Sequence, residues 1–153
     1  MKDPAREYRE SAVRGASPIG LIVILYEEIV RSIRRAQRAI RQNDIEQRTQ
    51  ALNHAVQVIG HLQGILDMER GKDVARNLSR FYGVMRAKIL EANVESNQEK
   101  LEMLAREFSG LVQTWRKVDE TLFGERAAGP GAGQRAAAVS GVEFRRQRAL
   151  AEP

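Results

Sequence analysis

The chain has 153 residues, 42% of them hydrophobic, 5% aromatic and 29% charged, with no cysteine and a formal charge of +5. That is one domain's length with a single modest core, built on aliphatic side chains in the manner of a helical bundle. The absence of cysteine excludes disulfides and thiolate metal sites. No apolar run approaches the roughly 18 residues a membrane span needs, and the polar start Met-Lys-Asp-Pro-Ala-Arg-Glu is no secretory signal. The expectation is a cytoplasmic protein with no membrane insertion. The basic excess is small: 25 Lys and Arg against 20 Asp and Glu, with five Arg and three Glu of these from Gly124 onward.

Residues 1–16 read as a leader segment whose sizeable apolar side chains are Tyr8 and Val13. A first helix starts at Ser17, a good N-cap, with Pro18 at the first helical position. Ile22, Tyr26, Ile29, Ile33, Ala36 and Ile40 recur at spacings of four and three, a bundle seam. Asn43-Asp44 breaks this helix, and Asp44 with Gln47 opens a second. Its buried face is Ile45, Leu52, Ala55, Ile59, Leu62 and Leu66, and Gly71 is placed to end it.

Asp73 is positioned to cap a third helix with the seam Ala75, Leu78, Tyr82, Met85, Ile89 and Ala92. Ser96 and Glu99 form a capping box for a fourth, whose repeat is Leu101, Leu104, Phe108, Leu111, Trp115, Val118 and Leu122. Gly124 is expected to stop it. Matched helices with tight links predict an all-α, antiparallel up-down-up-down four-helix bundle over residues 17–123. The Gly/Ala/Arg-rich stretch 124–153 reads as a flexible, disordered C-terminal tail.

Chemistry finds little purchase in this pattern. A di-iron bundle needs Glu-x-x-His pairs, but Ala51 and Val58 stand three residues before His54 and His61. There is no cysteine nucleophile, Gly-x-Ser-x-Gly elbow or phosphate loop. The reading is a non-enzyme with no cofactor and no metal. Arg31, Arg34, Arg35, Arg38 and Arg41 could track phosphates, yet no aromatic interleaves them to stack bases. A solvated cationic face accounts for them better.

The surplus of apolar residues is more telling than any polar motif. At 100° per residue, Leu21 and Leu25 flank the first seam and Ile24 points away from it, so the first turns are apolar all round. On the third helix Gly83, Ala87, Leu90 and Val94 form a strip opposite the seam, and Val56, Gly60 and Gly64 align on the second. An interior glycine costs of order 0.5 to 1 kcal/mol against alanine, so an aligned pair suggests close approach by another helix or chain. Such grooves suit an amphipathic helix, with Tyr8 and Val13 shielding them until a partner arrives. A homodimer whose strips meet each other is an alternative use of the same surfaces.

The run Tyr8, Val13, Ala16-Ser17-Pro18 and Leu25-Tyr26 resembles the start of the flagellar secretion chaperones of flagellin, the FliS family. The resemblance continues through Ala39-Ile40, Asp44, Leu66-Asp67, Gly71, Asn77-Leu78, Tyr82, Glu91-Ala92-Asn93 and Trp115, over roughly residues 4–122. It implies a chaperone that binds the disordered C-terminal segment of flagellin. That binding prevents premature polymerisation in the cytosol and assists delivery to the flagellar export apparatus. Glu27-Glu28 departs from the family's usual acidic residue followed by glycine, and the tail has no counterpart there. The competing reading is a basic helical adaptor for nucleic acid or another anionic partner, with nucleic acid the lesser of these.

Overall fold

The structure, a computed structural model, describes residues 3–7, 15 and 17–128, and side chains as far as Leu122. Four long helices follow one another: α1 (Pro18–Arg41), α2 (Ile45–Gly64), α3 (Met68–Glu95) and α4 (Gln98–Ala128). A helical turn at residues 4–7 precedes them, and there is no strand among the described residues. The expected four-helix bundle is the observed fold. Tyr8, Val13 and the tail from residue 129 lie outside the described residues.

Helix α1 packs along both α2 and α4, while α3 lies on α2 and more sparsely on α4. Cross-helix bonds set the antiparallel order. Ser17 donates to Asp119 at 2.8 Å, Gln98 donates to the Gln37 carbonyl at 2.8 Å, and Arg34 and Gln37 both hold Glu102 between them. Gln63 reaches the Ser79 carbonyl at 2.9 Å, and Arg48 bonds Asn93 at 2.9 Å, which aligns α2 with α3.

The core follows the three-four repeats. All six expected seam residues of α3 are buried, as are the first six of α4, with Leu122 packed against the edge. On α1 the seam from Tyr26 to Ala36 is buried, and Ile22 and Ile40 pack partly against it. Ile19 and Val23 join them, so the buried arc of α1 is broader than one seam. Ile45 is the exception on α2, 66% exposed at its first turn.

Near the bundle's middle the Tyr26 and Tyr82 hydroxyls share a hydrogen bond of 2.7 Å, and the Tyr26 ring meets Phe108 edge-on at 5.6 Å. Burial pushes the Tyr82 hydroxyl's pKa well up, only partly offset by the bond from Tyr26. The Tyr82 phenol therefore stays neutral in the core, and its bond with Tyr26 satisfies groups that would otherwise be costly to bury.

Helix ends show where local chemistry overruled the expected punctuation. Ser17 caps α1 by accepting from the Gly20 amide at 2.9 Å, and Asp44 caps α2 by accepting from Gln47 at 3.0 Å. Gly71 does not end α2, which stops at Gly64. Asp67 then caps α3 by accepting from Arg70 at 3.0 Å, and Gly71 is buried inside the next turn. The irregularity expected near Gly71 falls on Lys72, at φ 45° and ψ −120°, directly before Asp73. At the last link Ser96 takes the left-handed conformation that closes α3, so Asn97 caps α4 instead, accepting from Lys100 at 3.1 Å. Gly124 does not stop α4, whose backbone bonding continues to Ala128.

Candidate functional site

The sequence-derived surface residues fall into two regions of the bundle. At the end where α1 begins, a cleft of about 260 Å³ opens between Leu21 and Ile22 of α1, Leu62 of α2 and Leu66 just after α2, Leu78 of α3 and Trp115 of α4. Leu25 is half-buried against the core just beyond this cleft, and Ile24 is half-buried on the far side of α1. The link between α2 and α3 forms the cleft's outer wall. It places Ile65 there, 44% exposed, and leads into Met68, 49% exposed at the start of α3. Sequence reasoning missed both, because taking Gly71 as the end of α2 put this link inside a helix.

Trp115 is buried in the floor, and its Nε1 has no hydrogen-bond partner among the described residues. An unpaired buried N–H of this kind costs about 1 to 3 kcal/mol. Directly above, Ser17 caps α1 and donates to Asp119, pinning the start of α1 to α4. The cleft is thereby held open by the bundle's own framework.

The second region is the outer side of α2 and α3. The bonds from Gln63 to Ser79 and from Arg48 to Asn93 set the register, and interpolation between them brings Gly60 level with the Tyr82–Gly83 step. Val56 packs partly on the core beside this line. A Cβ built on Gly60, Gly64 or Gly83 would meet nothing within 4 Å. The close approach that these glycines suggested is thus not made by any of the described residues. Beyond them Ala87 is exposed, Leu90 is 46% exposed and Val94 is 86% exposed. Val84 on α3 and Met103 on α4, at 52% and 70%, extend the apolar exposure toward the α3–α4 side. They were not singled out because Val84 lies off the Gly83–Leu90 line and Met103 has Glu99, Lys100, Arg106 and Glu107 at helical spacing.

The arginines of α1 are partly occupied. Arg31 bonds Glu28 at 2.7 Å and lies 3.8 Å from Glu27, Arg34 is bound by Glu102, and Arg116 of α4 also reaches Glu27. His54 Nε2 completes this girdle 3.0 Å from Glu28 Oε1. Burial pushes the Glu28 carboxyl up, but hydrogen bonds and charge from Arg31 and His54 outweigh it, and the net pKa is lowered. Hydrogen bonds from Arg34, Gln37 and Arg106 hold Glu102 at about 2. Only Arg35, Arg38 and Arg41 of the cluster lack a carboxylate partner among the described residues, which weakens the phosphate-tracking reading. No group of three or more His, Asp or Glu side chains suited to a metal occurs among the described residues, and none of their helices is long and apolar enough to cross a membrane.

Comparison with known proteins agrees with this architecture. The family model described as Flagellar protein FliS matches residues 1–122, the part of the chain that precedes the Gly/Ala/Arg-rich stretch. The chain is 35% identical to the flagellar secretion chaperone FliS of Campylobacter jejuni over 111 residues, 72% of this chain and 87% of that one. It is 32% identical to the FliS of Salmonella typhimurium over 110 residues, covering 71% and 82% of the two chains. With the FliSB of Pseudomonas aeruginosa it shares 32% identity over 102 residues, 67% of this chain and 81% of the relative. The protein is therefore a flagellar export chaperone and not an enzyme, and the chain belongs to the FliS family.

Proposed function

We propose that this chaperone binds the C-terminal segment of flagellin along the two regions just described, keeping it unpolymerised in the cytoplasm until it is handed to the flagellar export apparatus. The observation that carries the reading is the apolar strip of α3 beside Gly60 and Gly83, glycines with open space over them that no packing among the described residues requires. A client that is disordered before assembly folds onto such strips as helices, with anchors at i, i+3, i+4 and i+7. Val56, Gly60, Gly64, Ala87, Leu90 and Val94 receive one stretch; Leu21 and Leu25 receive another at the cleft, and Ile24 a separate contact on the far side of α1.

The leader has a place in the same scheme. It ends at Ser17, immediately before Pro18 on the rim of the cleft, and its Tyr8 and Val13 are apolar enough to shield that surface until the client displaces them. Replacing both by alanine should raise the binding of a hydrophobe-sensing dye; unchanged dye binding counts against the shield.

Calorimetric titration of the full chain with the C-terminal flagellin segment of the same organism tests the main reading. Saturable binding with a negative heat-capacity change is expected, since apolar burial drives it. No complex at tens of micromolar sinks it, because a chaperone must hold its client at least that tightly to compete with assembly.

A further inference from the structure

The banks of the α2–α3 groove differ in charge, and this difference specifies the client helix more closely than its apolar floor does. From Ile45 to Gly64, α2 carries Glu46 as its sole carboxylate, and the residues flanking Val56 and Gly60 on the outside are the amides Asn53 and Gln57. The facing helix is cationic. At 100° per residue, Arg86 stands between the Gly83–Leu90 strip and α2, Arg80 borders the strip's other side, and Lys88 lies further round. None of these three has an ion-pair partner among the described residues.

The two ends of the strip behave differently. Near its start Arg76 is met by Asp73 at 3.2 Å, and near its end Glu91 and Glu95 both hold Lys100, at 2.6 and 3.0 Å. Charge is balanced within the chain at both ends and left positive in the middle, beside Gly83 and Ala87. With an amide bank opposite, no side chain of this groove can supply the missing anion.

We infer that the α2–α3 groove selects an amphipathic helix whose apolar anchors are flanked by carboxylates, with Arg80 and Arg86 reading those carboxylates across the strip. The inference rests on the groove being a client site, as proposed above. Apolar anchors supply most of the affinity, and the two arginines set preference and speed of encounter, as charges at the rim of an interface do. A helix carrying lysines at the same flanks meets like charge instead and is rejected.

Two synthetic helical peptides with identical apolar anchors, one flanked by Glu and one by Lys, test this against the full chain, with the flagellin segment titrated in parallel. The Glu peptide should bind about five- to tenfold more tightly at low salt. The preference should shrink as salt shortens the screening length from about 10 Å at 0.1 M toward about 3 Å at 1 M. It should also collapse in the Arg80→Gln/Arg86→Gln variant and persist in Arg38→Gln/Arg41→Gln, which removes the same charge from another face. Equal binding of the two peptides, or a preference that survives Arg80→Gln/Arg86→Gln, overturns charge selection even if the flagellin segment binds well. Failure of both peptides also overturns it. Failure of the flagellin segment alone, with the Glu preference intact, instead overturns the choice of client and leaves the groove's selectivity standing.

Discussion

Helices α1 and α3 carry similar amounts of apolar sequence and use it in opposite ways. Helix α1 lies between α2 and α4 and spends its side chains inward: Ile19, Val23, Tyr26, Ile29, Ile33 and Ala36 are all buried. Helix α3 has one buried seam and leaves Val84, Leu90 and Val94 in solvent, on an element that packs on α2 and more sparsely on α4. The comparison separates apolar residues that hold the bundle from apolar residues that the bundle does not need. Stability experiments should see the first group and hardly notice the second, whereas client binding should do the reverse.

The largest expected effect tests the inward side. Ile29→Ala or Phe108→Ala should cost about 2 to 5 kcal/mol in urea unfolding, since each side chain is fully enclosed and truncation leaves a cavity. Leu90→Ala and Val94→Ala should change stability by less than about 0.5 kcal/mol while weakening binding of the flagellin segment. A loss of 2 kcal/mol at Val94 would mean that the outward strip is structural and the contrast between α1 and α3 is false.

Lys72 offers the next effect in size. Its φ of 45° with ψ of −120° is a conformation that side chains avoid and glycine adopts freely. Lys72→Gly should stabilise the protein by about 1 kcal/mol by relieving that strain, net of glycine's greater freedom when unfolded. A destabilisation of similar size would place a regular helix through this position. Glycines in the groove give a smaller and opposite kind of test. Gly60→Ala and Gly83→Ala should each raise the unfolding free energy by about 0.5 to 1 kcal/mol, because a Cβ meets open space and alanine favours helix. The same substitutions should weaken the client. A gain in stability with unchanged affinity would detach the glycines from function.

The fold was legible because three-four periodicity survives in every helix, and most seam residues named from spacing are buried. Punctuation was legible only where one residue type served one role. Ser17 and Asp44 capped as expected. Gly71 and Gly124 did not terminate helices, since a glycine weakens a helix without forbidding it and the core beneath can carry the chain through. Ser96 was outcompeted as a cap by Asn97, because closing α3 required a left-handed residue at Ser96 first. The site was legible as surplus, not as geometry. Spacing identified Leu90 and Val94 as facing away from their seam, but the antiparallel register that sets Gly60 beside Gly83 arises only when α2 and α3 pack. The free state of Arg80 and Arg86 is likewise invisible until every neighbouring carboxylate has been placed.

Acid titration yields the smallest effect and probes the inner seam from its edge. Glu28 and Glu102 both have pKa values lowered in the folded protein, Glu102 to about 2, against an ordinary value of 4.5. A carboxyl depressed by folding contributes its stability above the unfolded pKa and loses it as pH falls toward the folded one. The melting temperature should therefore be insensitive to these groups above about pH 5 and decline between about pH 4.5 and 2. Glu28→Gln should flatten the upper part of that decline, since it removes the partner of both Arg31 and His54 on the α1–α2 side. Glu102→Gln should flatten the lower part by less, because the pair it forms with Arg34 sits in solvent and is screened. Equal slopes for both variants would show that the Arg31 and His54 partners of Glu28 give it no advantage over the more open Glu102 pair, and that the α1–α2 and α1–α4 seams do not differ in their electrostatics.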